Sequence, residues 1–337
     1  MAMIEKWKFL PEGILMDILT WLPVKSVLRF SIILSKQEPT LYYSDEPYTA
    51  SFPSLDYNIS TSTFDMSVEY HCPFHYWKCY IRILGICNGL FCLRSDPELL
   101  LVSVPTHGFG YGRKTGDYKV VKIITAGSDR FSQVRVYTLG TGSLRALENI
   151  LYVFYLPGRA NGVLHWLVHP CNRGKNTVRV ILSFDVGDEK FKEMQLPIPL
   201  CGAPEGDKYY KTSIGLLDGK LCLSWYVGDG NVDVWIMQNY GVIESWTKIF
   251  SVSRLKEDID FVRPVQSFKN GDILLFGQPL NRFNPHNGDL FLYNPMNGNA
   301  RFLDTSSYQT LEKVHTYVGS LVSVKSICDA GEEVVVL

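Results

Sequence analysis

Four groups of residues have types and spacing that bear on chemistry. HCPFHYWKC, residues 71–79, holds His71, Cys72, His75 and Cys79 within nine positions. The donor types suit zinc, but the stretch lacks the paired knuckle of a common structural site, and its Phe74, Tyr76 and Trp77 have strand or core character; no metal is expected. HGFGYG, residues 107–112, has the glycine content of a phosphate cradle. Such a cradle needs a helix N-terminus behind it, and no helical pattern follows, so these glycines read as turn residues. No G-x-S-x-G elbow anchors a hydrolase triad. His165, Asp185 and Asp233 would have to converge for acid–base work, yet each occupies a fixed place in a strand–turn repeat. The acidic pairs Asp188–Glu189 and Glu332–Glu333 read as solvated charges. No enzymatic activity and no cofactor is expected.

Bulk properties narrow the classes further. A chain of 337 residues, 46% hydrophobic and 20% charged, can bury a full core. Its net charge of −1 and pI near 6.7 exclude a broad phosphate-binding surface, so no nucleic-acid partner is expected. No apolar run reaches the roughly 18–20 residues that span a bilayer. Glu5, Lys6, Glu12 and Asp17 interrupt any signal-peptide core. The eight cysteines then read as reduced thiols, and the expected location is the cytoplasm, the nucleus or both.

The elements that position these residues are mostly strands. ICNGLFCL, ANGVLHWL, LDGKLCLSW, KNGDILLF and HNGDLFLY each set Asn-Gly or Asp-Gly before an apolar strand, the grammar of a β-hairpin. A second landmark recurs in VRVYTLGTGSLRAL, ILSFDVGDEKFKEMQLP, VDVWIMQNYGVIESWTKIF and LFLYNPMNGNARFL: strand, polar turn, strand. Tyr137, Phe184, Trp235 and Tyr293 are its equivalent points, 47, 51 and 58 residues apart. Several short strands per period of this length predict five or six propeller blades beyond residue 80; a large β-sandwich is the alternative.

The N-terminus departs from this grammar. At about 100° per residue, Ile14, Leu15, Ile18, Leu19 and Leu22 share an arc of roughly 140°. Pro11 suits a first helical turn, and Pro23 ends the helix. A second short helix is expected through Ser26–Phe30. Residues 35–80, punctuated by Pro39, Pro47, Pro53 and Pro73, read as a linker and edge region. The expected organisation is therefore a helical hairpin over 8–34, a linker over 35–80, and a propeller-like β-domain over 81–337.

LPEGILMDILTWLPVKSVLRF resembles the first half of a plant F-box, usually LPxxxxxxILxxLPVKSLLRF, matching at Leu10, Pro11, Ile18, Leu19, Leu22, Pro23, Val24, Lys25, Ser26, Leu28, Arg29 and Phe30. The resemblance implies docking onto a Skp-type adaptor and through it a cullin, with Leu10, Pro11, Ile14, Ile18, Leu22, Pro23, Val24 and Leu28 as contacts. Burying about six such side chains at roughly 1.5 kcal/mol each gives about 9 kcal/mol before association costs. Where the family continues with Cys-x-SKSW and a third helix, this chain has RFSIILSKQEPTLYYSDEPYTAS, so the second half of the box is replaced. Residues 85–325, through GFGYGRKTGDYKVVKI, ILSFDVGDEKFKEMQLP and DVWIMQNYGVIESWTKIF, resemble the kelch-type F-box-associated region, including that of the S-locus group. There SDPELLLVSVPTHGFGYG is shortened and Gly112 replaces the usual Asp, which implies an incomplete early blade with an exposed edge. The resemblance implies a non-catalytic substrate receptor of a ubiquitin ligase with a protein target, in the S-locus case a pollen-recognised ribonuclease. A propeller scaffold without the ligase link is the alternative; a carbohydrate-binding β-domain rests on aromatic richness alone.

Overall fold

A computed structural model describes residues 30–36, 51–58, 63–71, 79–88, 90–97, 106–125, 131–154, 164–171, 179–197, 212–228, 231–253, 259, 261–278, 288–303, 311–318 and 334–336. The chain enters through β1 (Phe30–Lys36), β2 (Ser51–Asn58), β3 (Thr63–His71), β4 (Cys79–Cys87) and β5 (Leu90–Pro97). Four meanders follow. The first is β6 (Thr106–Gly112), β7 (Asp117–Thr125), β8 (Ser132–Thr138) and β9 (Ser143–Ala146). The second is β10 (Tyr152–Val153), β11 (Leu164–Pro170), β12 (Val180–Asp185) and β13 (Lys190–Met194). The third is β14 (Ser213–Leu217), β15 (Lys220–Gly228), β16 (Asn231–Met237) and β17 (Trp246–Val252). The fourth is β18 (Phe261–Ser267), β19 (Ile273–Gln278), β20 (Asp289–Tyr293) and β21 (Ala300–Phe302), and the chain ends with β22 (Leu311–Val318) and β23 (Val334–Val336).

Each meander is an antiparallel sheet in simple sequence order, and two further sheets join the chain ends. In one, β22 pairs with β1 from Phe30↔Val318 onward, giving the order β22-β1-β2-β3. In the other, β23 lies against β5 through Val334↔Arg94, giving β23-β5-β4. Neighbouring sheets pack through β4 on β6, β6 on β11, β11 on β14, β14 on β18, β18 on β22, and β22 on β4. Six sheets thus form a closed ring among the described residues: a β-propeller, not the sandwich alternative, in which two sheets would share one core.

The core is a set of slabs between blades. Val121, Val134 and Val136 pack on Leu164, Trp166 and Leu182. Ile181 and Met194 pack on Ile214, Leu223 and Trp246. Val234 and Phe250 pack on Leu275 and Phe291, while Leu274 and Phe276 face Val314. Consecutive residues such as Ile181 and Leu182, or Leu274 and Leu275, therefore enter opposite slabs. That is why these strands read as continuous apolar runs: both faces are buried.

The predicted turns do the work assigned to them where they are described. Asp218 (φ 52°) and Gly219 (φ 75°) form a two-residue turn closing the Leu217↔Lys220 pair. Both central residues are left-handed, the geometry that selects Asp-Gly. Tyr137, Phe184, Trp235 and Tyr293 all fall on the third strand of their sheets, β8, β12, β16 and β20.

The N-terminal boundaries need correction. Phe30–Lys36 is strand, so residues 30–34 do not belong to a helical hairpin; residues 1–29 lie outside the described residues. The supposed linker 35–80 contains β2 and β3, which complete the closing sheet. Pro53 sits inside β2 at a register shift between Pro53 and Leu55, where a bulge accommodates a residue that cannot donate to the ladder. HGFGYG is likewise not a turn but most of β6. Gly108 is there for packing: a Cβ would stand 2.8 Å from Leu164 Cδ2 and 3.0 Å from Trp166.

Candidate functional site

Sequential antiparallel order fixes which end of each blade carries which connection. The links from first to second and from third to fourth strand emerge on one face of the ring, here the turn face. The links from second to third strand, and from each blade to the next, emerge on the opposite face. Strands β11, β13, β17 and β19 all end on that opposite face.

On the turn face, polar side chains clasp one blade to the next. Asn88 donates to the Tyr118 hydroxyl at 3.3 Å between the β4–β5 and β6–β9 blades. Ser267 donates to Asp218 at 2.5 Å between the blades of β18 and β14. The strongest clasp holds the β12–β13 turn to the preceding blade. Lys119 Nζ lies 2.8 Å from Glu189 Oε1, Arg145 pairs with Glu189 Oε2, and Lys114 meets Asp188 at 2.5 Å. Lys119 and Glu189 side chains are only 5% and 11% exposed, and Glu189 adopts a left-handed φ of 54°. Burial pushes the Glu189 carboxyl up, but the hydrogen bonds from Lys119 and Arg145 outweigh it and leave the group below its ordinary value. The expectation that Asp188–Glu189 is merely solvated is thus overturned for Glu189.

His165, Asp185 and Asp233 do not converge. His165, buried at the start of β11, meets the Tyr240 hydroxyl through Nε2 at 2.8 Å. Asp185 Oδ1 accepts the backbone N–H groups of Gly187 and Asp188, shaping its own turn. Asp233 accepts from Ser251 Oγ at 2.6 Å and Lys248 Nζ at 3.4 Å. Each is occupied with a separate structural contact. Of the zinc-type quartet, Cys72 and His75 lie outside the described residues, and among those described no group of three or more His, Cys, Asp or Glu is arranged to hold a metal.

The expected adaptor contacts Leu10, Pro11, Ile14, Ile18, Leu22, Pro23, Val24 and Leu28 also lie outside the described residues. Their point of attachment does not. Phe30 opens β1 opposite Val318, the last residue of β22, so the N-terminal segment joins the ring at the turn face of the closing sheet. Among the described residues the β4–β5 sheet has three strands, the third supplied by β23 from the far end of the chain. Sequence reasoning missed the strand at Phe30 and the Glu189 clasp. The β-branched apolar run Ile32–Ile33–Leu34 was a usable strand signal for the first; nothing local signalled the second.

Comparison with known proteins agrees with this architecture. The family described as the F-box associated beta propeller domain matches residues 42–319. F-box protein At3g07870 of Arabidopsis thaliana is 29% identical across 78% of both chains. F-box/kelch-repeat protein At3g23880 of the same plant is 25% identical across 93% of this chain and 95% of its own. F-box protein CPR1, also from Arabidopsis thaliana, is 31% identical across 55% of both. With most of its length matched and its strands forming the ring that the description names, the chain belongs to the F-box associated β-propeller family of plant F-box proteins.

Proposed function

We propose that this protein is a non-catalytic substrate receptor of a Skp–cullin–F-box ubiquitin ligase, acting in the cytoplasm, the nucleus or both. Residues 10–28 hold the Skp-type adaptor, and the propeller holds the protein to be modified. The observation that carries this reading is the joining of an F-box-like N-terminal sequence to an F-box-associated propeller in one chain. The chemistry belongs to other subunits. The receptor's contribution is proximity, which raises the effective concentration of a target lysine near the charged conjugating enzyme. Self-incompatibility ribonucleases belong to the class of targets the S-locus likeness suggests, and binding of purified ribonuclease to the propeller tests that narrower assignment.

Co-expression of residues 1–337 with a Skp-type adaptor, followed by size-exclusion chromatography, tests the main reading. Co-elution that is lost in Ile18→Asp supports it; a folded protein eluting alone sinks it. The second reading, a propeller scaffold without the ligase link, is favoured by one observation: Phe30–Lys36 is a strand where an F-box would continue into its third helix. That protein would elute alone.

A further inference from the structure

The connection between β16 and β17, on the turn face, is braced from within. Gln238 N donates to Ser245 O at 3.1 Å, and Val242 N donates to Asn239 O at 3.1 Å. The Ser245 hydroxyl accepts from Asn239 N at 3.0 Å and donates toward Val242 O at 2.6 Å. Gly241, at a φ of 82°, lets the chain double back, and its N–H donates to Met237 Sδ at 3.0 Å. The Tyr240 ring is fixed as well: its hydroxyl meets His165 Nε2 at 2.8 Å, and it stands edge-on to the imidazole at 75°. Yet Tyr240 is 58% and Val242 45% exposed. No other turn among the described residues carries two large apolar side chains so exposed. The His165 contact explains the Tyr240 hydroxyl but not the open ring face or Val242. Single exposed apolar residues are ordinary, whereas a rigid tyrosine beside a second apolar side chain has the make-up of a binding hot spot.

Charge flanks this pair. Lys192 Nζ stands 3.9 Å from where a Gly241 Cβ would be, and Lys220 Nζ donates to Gln238 Oε1 at the foot of the turn. Among the described residues, neither lysine lies within ion-pair distance of a carboxylate. Lys190 shares a face of β13 with Lys192 but sits opposite Asp185 in register, and Asp185 Oδ1 is taken by two backbone N–H groups. Glu244 is the turn's own carboxylate, and it is exposed. Three cations thus surround the turn against two anions, and the charge nearest Gly241 is that of Lys192. We infer that Tyr240 and Val242 anchor a peptide-docking surface. Its occupant is a partner-protein segment in which an apolar side chain is flanked by aspartate or glutamate, the apolar group resting on the pair and the acidic group reaching Lys192. Because turn and ring are already ordered, docking there forfeits little conformational entropy. A ligase receptor and a free scaffold would use this surface alike, so its test needs no adaptor.

The test pans a phage-displayed library of random dodecapeptides on the immobilised full chain and measures the enriched sequences, as labelled synthetic peptides, by fluorescence anisotropy. The expected sequences place Asp or Glu within a few positions of a large apolar residue. Val242→Ser and Lys192→Glu, both at exposed positions and both checked for an unchanged melting temperature, should each weaken binding roughly tenfold. A peptide with its acidic residue changed to Lys should bind Lys192→Glu more tightly than it binds wild type. Failure to enrich any sequence, enrichment without acidic residues, or equal affinity for wild type and both variants overturns the surface.

Discussion

Glu189→Gln removes one charge from the clasp between the β6–β9 and β10–β13 blades while keeping the side chain's shape. Lys119, 5% exposed, would then hold a buried ammonium without its carboxylate. Stripping one partner from such a pair costs about 3–5 kcal/mol. The lower end applies here, because the lysine stem lets its charge tilt toward solvent and because Arg145, 64% exposed, contributes little of its own. A loss of about 3 kcal/mol lowers Tm by roughly 4 °C in a chain of this size. Denaturant and thermal unfolding monitored by circular dichroism read the change. The pH dependence carries the sign. Glu189 is held below its ordinary value, so its contribution is complete above the unfolded-state pKa of about 4.3 and is lost as pH falls through the lower folded value. The gap between wild type and Glu189→Gln should therefore be full at pH 7 and narrow in acid. The double variant with Lys119→Met should recover to within about 1 kcal/mol of wild type, since no buried charge is left stranded. A loss below about 0.5 kcal/mol, or a gap that persists unchanged at pH 3, refutes the reasoning.

Other perturbations follow from single contacts. Gly108→Ala inserts a Cβ 2.8 Å from buried Leu164 and should cost about 1–3 kcal/mol in thermal unfolding, with no change in the turn-face clasps. Tyr240→Phe deletes the hydroxyl that meets His165 and should cost about 1 kcal/mol, measured by urea midpoint at constant m-value. Burial pushes the Cys222 thiol up to about 12 and raises Cys92 further. Both should resist a thiol reagent at pH 8 by roughly a thousandfold relative to an exposed cysteine and react on unfolding, as read by site-resolved mass spectrometry.

The parts of the fold that were legible are those imposed by local chemistry. Asp218-Gly219 had to be a turn because two left-handed residues in succession select that pair, and the spacing of Tyr137, Phe184, Trp235 and Tyr293 reported the third strand of four blades. The first blades were not legible. β1 meets β22 from the far end of the chain, so only the closed ring shows that FSIILSK is a middle strand. β2 was hidden by Pro53, read as a breaker although a bulge accommodates it. Gly108 looked like turn punctuation, but its reason is the approach of Leu164, far along the chain. The Glu189 clasp spans 70 residues to Lys119 and 44 to Arg145, and no short-range pattern encodes such partners.

The most direct test of the central claim is reconstitution from purified parts. The full chain is mixed with a Skp-type adaptor and the N-terminal region of a cullin, and molar mass is measured by light scattering on the size-exclusion column. A ternary peak at one copy of each, absent with Ile18→Asp while that variant keeps the β-sheet signal of wild type, is the predicted result. Wild type eluting as a folded protein apart from an intact adaptor–cullin peak would contradict the receptor reading and make the propeller a scaffold.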